Sequence, residues 1–124
     1  MHELSICQAL LDEVERVARE ERAERVVTIV VRIGALAGVE PELLRSAFSI
    51  ARAGTPAAAA ELVLESTGVQ IECPGCGAQS AVAVNALACP ACGNWRTRVT
   101  AGEELILARV ELTRTAGEEA SHHV

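Results

Sequence analysis

The chain has 124 residues, half of them hydrophobic, and a formal net charge of −6. Its length predicts one domain, or one domain carrying a small insert. With one Phe, one Trp and no Tyr, the core must be aliphatic and platforms for stacking bases are nearly absent, which argues against single-stranded nucleic acid as a partner. The eleven basic residues are all arginine and are scattered, so no basic patch is built to neutralise phosphates.

In chain order, residues 4–22 carry Leu4, Cys7, Leu10, Leu11, Val14, Val17 and Ala18 at steps of three and four, which predicts an amphipathic helix with Asp12, Glu13, Glu15, Arg16, Arg19 and Glu20 opposite. Residues 26–33, VVTIVVRI, are β-branched almost throughout and predict a strand whose apolar face is Val27, Ile29, Val31 and Ile33, ended by Gly34. After a turn at Gly38, Pro41 suits the first turn of a second helix with the stripe Leu43, Leu44, Ala47, Phe48 and Ile50 or Ala51, closed by Gly54. Residues 55–60 form a small-residue connector. Residues 61–72 predict a strand interrupted at Gly68, and 104–112 return to a β pattern after a cysteine-bearing insert. Residues 113–124, with few apolar side chains and no period, read as a frayed tail.

No stretch reaches the roughly 20 apolar residues of a membrane helix. The start, Met1-His2-Glu3, is acidic and unlike a secretory leader. The expectation is a cytoplasmic protein with no membrane partner, whose five cysteines are not there for disulfides. Cys73-x2-Cys76 is followed after twelve residues by Cys89-x2-Cys92, with Pro74 and Pro90 second in each turn and Gly77 and Gly93 directly after each pair. Proline presets the turn, and glycine lets backbone N–H groups approach sulfur. Two such knuckles supply four thiolates in a tetrahedron, the structural Zn²⁺ arrangement, with every coordination position taken by protein. The insert offers only Val82, Val84 and Leu87 as core, so its fold is expected to lean on the metal. Cys7, on the buried stripe of the first helix, reads as a core thiol.

The second position of a chain has its own chemistry. The Met1 α-amine, the backbone nitrogen of residue 2 and the His2 imidazole can chelate one ion in fused rings, with Glu3 supplying a further nitrogen or oxygen. A nitrogen-rich square plane suits Ni²⁺ or Cu²⁺.

Met1-His2-Glu3-Leu4-Ser5, Ile33-Gly34-Ala35 with Val39-Glu40, and the two Cys-x2-Cys pairs together resemble the HypA/HybF family of hydrogenase nickel-maturation proteins, over residues 1 to about 112. The resemblance implies an α+β fold, two helices packed on a small three-stranded mixed sheet with an inserted zinc-ribbon-like module. It divides the chain into a nickel-binding domain, 1–68 and 102–112, a zinc-binding domain, 69–101, and a flexible tail, 113–124. It implies a metallochaperone, not an enzyme, with structural Zn(II) and with Ni(II) as cargo held around Met1, His2 and Glu3, and with Glu40 at the position of an acidic residue linked to that site. Implied partners are a HypB-type nickel-binding GTPase and the hydrogenase large subunit or its precursor; a homodimer is an open alternative. Many members carry a histidine directly after a knuckle, where this chain has Gly77 and Gly93. His122 and His123 lie in a tail that is no family motif and mark at most an accessory nickel site. The rival readings are a zinc-ribbon module that binds nucleic acid or protein, and a rubredoxin-like electron carrier.

Overall fold

A computed structural model describes residues 2–114 and 119–123, the latter as backbone. Two helices and seven strands occur in the order α1 (His2–Glu20), β1 (Arg25–Gly34), α2 (Pro41–Ala51), β2 (Glu61–Thr67), β3 (Val69–Glu72), β4 (Gln79–Val82), β5 (Arg98–Ala101), β6 (Leu105–Thr113) and β7 (Glu119–His123). The chain divides into two compact units, one formed by 1–31, 39–65 and 106–124, the other by 32–38 and 66–105.

In the first unit, α1 buries Cys7, Leu11, Val14, Val17 and Ala18, the stripe that its spacing requires. Pro41 opens α2, where its missing N–H costs nothing, and Glu40 precedes it in extended conformation. The sheet order is β2-β1-β6-β7, so β1 has a neighbour on each side. The three expected strands are present, and β7 adds a fourth. Side chains of α1, β1, α2 and β2, among them Cys7, Val14, Ile29, Leu44, Phe48 and Leu62, converge on one small interior space.

In this unit three expectations are corrected. The β1 face is not confined to alternate residues: Thr28 and Val30 are buried along with Ile29, Val31 and Ile33, while Val27 is half-buried. A central strand is covered on both faces and loses the period-two signature. On α2 only Leu44 and Phe48 are buried; Leu43 is 54% and Ile50 74% exposed, because a helix resting on one side of a sheet buries a narrower stripe than its apolar content offers. In the tail, Glu119–His123 pairs antiparallel with β6, with Val110 opposite His122 and Arg109 opposite His123. A polar segment without its own periodicity still finds backbone partners on a free edge.

The second unit holds a three-stranded sheet, β4-β3-β5, in which β3 pairs antiparallel with both neighbours and slips register between Gln70 and Ile71 against β5. Its core is Val69, Ile71, Cys73 and Cys89, flanked by Leu36, Ala78, Val82, Leu87 and Val99. Val84, expected inside, is 51% exposed. The core joins two β3 side chains, Val69 and Ile71, to the first cysteine of each knuckle, and Leu36 from the turn after β1 packs against it.

Where this unit gathers its entering and leaving strands, backbones come very close. A Cβ on Gly34 would stand 2.2 Å from the Gly102 carbonyl oxygen, so only glycine fits there. The Gly34 N–H donates to the Glu104 carbonyl (2.7 Å), Ala35 N–H to Thr67 O (3.0 Å) and Leu36 N–H to Gly102 O (2.6 Å). The Glu104 carboxylate ties the same crossing together, accepting from the Thr67 hydroxyl at 2.5 Å and from the Gly102 N–H at 2.8 Å. Those donors, the Thr67 hydroxyl first and the Gly102 N–H next, hold its carboxyl below the usual carboxylate range.

Candidate metal centre

The two knuckles have the same local construction. In the first, Gly77 N–H donates to Cys73 O at 2.8 Å and Cys73 N–H to Ala78 O at 2.9 Å; in the second, Gly93 N–H donates to Cys89 O and Cys89 N–H to Asn94 O, both at 2.8 Å. Each turn closes on a glycine in the left-handed region, φ +77° at Gly77 and +79° at Gly93, a conformation that a Cβ would strain.

The turns bring the four sulfurs of Cys73, Cys76, Cys89 and Cys92 within 4.8 Å of one another. Cys73 and Cys92 Sγ are 3.6 Å apart, Cys76 and Cys89 Sγ 3.7 Å. A tetrahedral Zn²⁺ with Zn–S bonds of about 2.3 Å requires S···S edges of about 3.8 Å, so the donor set fits zinc in number, chemistry and spacing. The four cysteines would hold the ion and leave no position open for water, so its contribution is structural. The first cysteine of each knuckle is buried and the second exposed.

Without a metal the thiols ionise unevenly. The Cys76 N–H, helped by the Cys92 thiol and the Gly75 N–H, holds Cys73 down at about 6; the N–H groups of Cys92 and Ala91 lower Cys89 as well. At Cys76 the Ala78 N–H pulls the same way, but the Cys89 thiol, burial and the Cys73 thiol raise it; at Cys92 the Asn94 N–H does too, but the Cys73 and Cys76 thiols push it up to about 12. One sulfur per knuckle is thus set to ionise first, and a dication draws the remaining protons off.

Sequence reasoning missed Asn94. Its carbonyl closes the second knuckle, its N–H faces Cys92, and its side-chain Nδ2 lies 3.7 Å from Cys73 Sγ in the other knuckle. A Cβ on Gly75 would lie 3.1 Å from that nitrogen, so Gly75 makes room for the link. The available signal was its position, directly after Cys92-Gly93.

The other predicted site residues lie in the first unit. Met1 is outside the described residues. His2 is the exposed first residue of α1, and Glu3 follows half-buried in the first turn, where the helix dipole favours a carboxylate. Glu40 is exposed; its N–H faces Glu3 Oε2 at 3.5 Å, a long contact. The structure thus brings the start of α1 and the entry to α2 together through Glu3, by way of the Glu40 backbone. Among the described residues, the four cysteines are the one gathering of three or more His, Cys, Asp or Glu ligand atoms at metal-binding distance. His2 and Glu3 also flank an apolar groove with Leu4, Leu43, Ala47 and Ile50. The backbone of His122 and His123 lies on β7; their side chains lie outside the described residues. Cys7 is a core thiol, 1% exposed, its sulfur 3.3 Å from the Leu44 carbonyl oxygen. Burial, and then the charge of Glu3, push this thiol up, so it stays protonated. No helix among the described residues is long and apolar enough to cross a membrane.

Comparison with known proteins agrees with this arrangement. The family described as "Hydrogenase/urease nickel incorporation, metallochaperone, hypA" matches residues 1–112. The hydrogenase maturation factor HypA of Nitrosospira multiformis is 44% identical over 115 residues, 93% of this chain and all of that protein. That of Aquifex aeolicus is 43% identical over 112 residues, 90% of this chain and 97% of the other. Among solved structures, the solution structure of the Ni metallochaperone HypA from Helicobacter pylori superposes with a TM-score of 0.68 at 26% identity, covering 90% of this chain and 97% of that one.

Proposed function

From the premise that this chain belongs to the HypA family of hydrogenase and urease nickel-incorporation metallochaperones, we propose that it binds Ni(II) at its N-terminus and delivers it during maturation of [NiFe]-hydrogenase. The observation that carries this reading is the division of donors. Sulfur is concentrated in one closed cage, while His2 is exposed at the first described position of α1 beside Glu3. A four-thiolate cage is saturated by protein and exchanges its ion poorly. An exposed helix start, for which the His2 imidazole, the backbone nitrogens beside it and the Met1 amine are the candidate donors, can take an ion and give it up. Glu3, and Glu40 through its closeness to Glu3, supply the acidic surroundings.

In this reading the protein is a carrier and no catalyst. The zinc unit, with 69–101 at its centre, provides shape. The 1–68 and 102–112 portion presents nickel to a HypB-type GTPase and to a hydrogenase large subunit or its precursor, in the cytoplasm where such enzymes are assembled. Whether two copies act together is decided by sedimentation with and without nickel.

The test uses untagged protein, His2→Ala, and a variant extended before Met1, each titrated calorimetrically with Ni(II) and analysed for both metals. The wild type should take up nickel beside its zinc; His2→Ala and the extended form should lose nickel and keep zinc. Undiminished nickel affinity in His2→Ala would overturn the assignment.

A further inference from the structure

Among the described residues β2 is an edge strand: the order β2-β1-β6-β7 leaves one of its sides without a partner strand. Edge strands present rows of free N–H and C=O groups that another chain can extend. The direction of those groups follows from strand parity. The Thr67 carbonyl accepts from Ala35 N–H, just beyond β1, at 3.0 Å, so odd-numbered residues of β2 turn their backbone groups toward β1 and even-numbered residues turn theirs away. On that parity the carbonyls of Ala60 and Leu62 face the open side.

Both are taken by side chains of Arg45 on α2 and of Arg52, the residue that caps its C-terminus. Arg45 Nη1 donates to Leu62 O at 3.0 Å, and Arg52 Nη1 donates to Ala60 O at 2.8 Å. The arginines are seven residues apart, two helical turns, and so share a helix face. Arg52 is further fixed by stacking 5.4 Å from the ring centre of the buried Phe48. A guanidinium carries five donors and no acceptor. Seated on an edge carbonyl, it takes one lone pair of the acceptor that an incoming N–H needs and turns like-polarity hydrogens toward that N–H. β2 itself carries no proline or lysine, and its centre is Leu62-Val63-Leu64, so little else blunts this edge beyond Glu61 and Glu65.

We propose that Arg45 and Arg52 hold the β2 edge closed against strand addition by a second copy of this chain, and that the bared edge pairs with the same edge of that copy. Identical edges meeting about a two-fold axis are self-complementary, which makes the second copy the occupant.

The test is sedimentation velocity over a concentration series, on zinc-loaded full-length protein. Arg45→Met with Arg52→Met keeps the aliphatic stems and removes the donors. It should self-associate with a dissociation constant lowered about tenfold or more relative to wild type. Adding Leu64→Pro, which deletes an outward N–H without touching the ladder to β1, should restore wild-type behaviour. A double variant that associates no more than wild type overturns the proposal, as does association that survives Leu64→Pro. Should the double variant fail to fold, the single variants are read by the same criteria. In the wild type, amide exchange must also be faster at Leu62 and Leu64 than at Val63 and Glu65; the opposite order overturns it.

Discussion

Removing the metal from the four-cysteine centre should unfold one unit and spare the other. In the core cluster of the zinc unit, the fully buried residues other than the ligands are Val69 and Ile71, with Leu36, Ala78, Val82, Leu87 and Val99 only partly buried against them. Burying two such aliphatic side chains contributes about 3–6 kcal/mol. Structural zinc in comparable thiolate modules contributes about 10–16 kcal/mol, more than those two side chains supply. The first unit draws its core from α1, β1, α2 and β6, with Leu11, Val14, Val17, Val26, Ile29, Val31, Leu44, Val110 and Leu112 all buried, and needs no metal. The experiment is amide exchange on reduced protein before and after chelation. Amides of β3, β4 and β5, such as Gln70, Ala81 and Val99, should lose protection, whereas those of β1 and β6, such as Ile29 and Val110, should keep it. Full protection of β3–β5 in reduced, metal-free protein would refute the reasoning, because packing alone would then suffice.

Two further outcomes follow from the strand crossing within this unit. Gly34→Ala would drive a Cβ to 2.2 Å from the Gly102 carbonyl oxygen and disturb the Leu36 N–H bond to that oxygen; overpacking of this kind costs about 1–3 kcal/mol, read as a lower denaturant midpoint with zinc content unchanged. Glu104 has its folded carboxyl lowered by the Thr67 hydroxyl and the Gly102 N–H, so its contribution is complete above the ordinary carboxylate range and is lost as pH falls through the lowered folded value. Glu104→Gln, which turns an amide donor toward one of those donors, should be less stable than wild type at neutral pH. The gap should narrow in acid; because zinc loss is common to both proteins, the difference between them isolates Glu104. A gap that is constant with pH would count against a charged Glu104 at the crossing.

The sequence by itself determined the elements whose chemistry is local. The steps of three and four from Cys7 to Ala18 are a helix wherever that segment lies, and Cys-Pro-Gly-Cys-Gly and Cys-Pro-Ala-Cys-Gly are knuckles because proline and glycine preset the turn before the metal is considered. The zinc ligands were therefore legible as residues, and the nickel reading rested on the first three positions and a family resemblance. What depended on distant partners was not legible. Alternation could not show that β1 is covered on both faces, because its position between β2 and β6 is a property of the assembled sheet. The apolar content of α2 could not show that Leu43 and Ile50 stay exposed, since burial depends on what a helix rests against. The tail gave no β signal, yet 119–123 pairs with β6, because the bonds of an edge strand come from its neighbour's backbone. Asn94 joins Cys73 across twenty-one positions, and Glu104 joins Thr67 across thirty-seven. Periodicity and motif spacing report neighbours along the chain, whereas these contacts exist only once folding has brought remote segments within hydrogen-bonding distance.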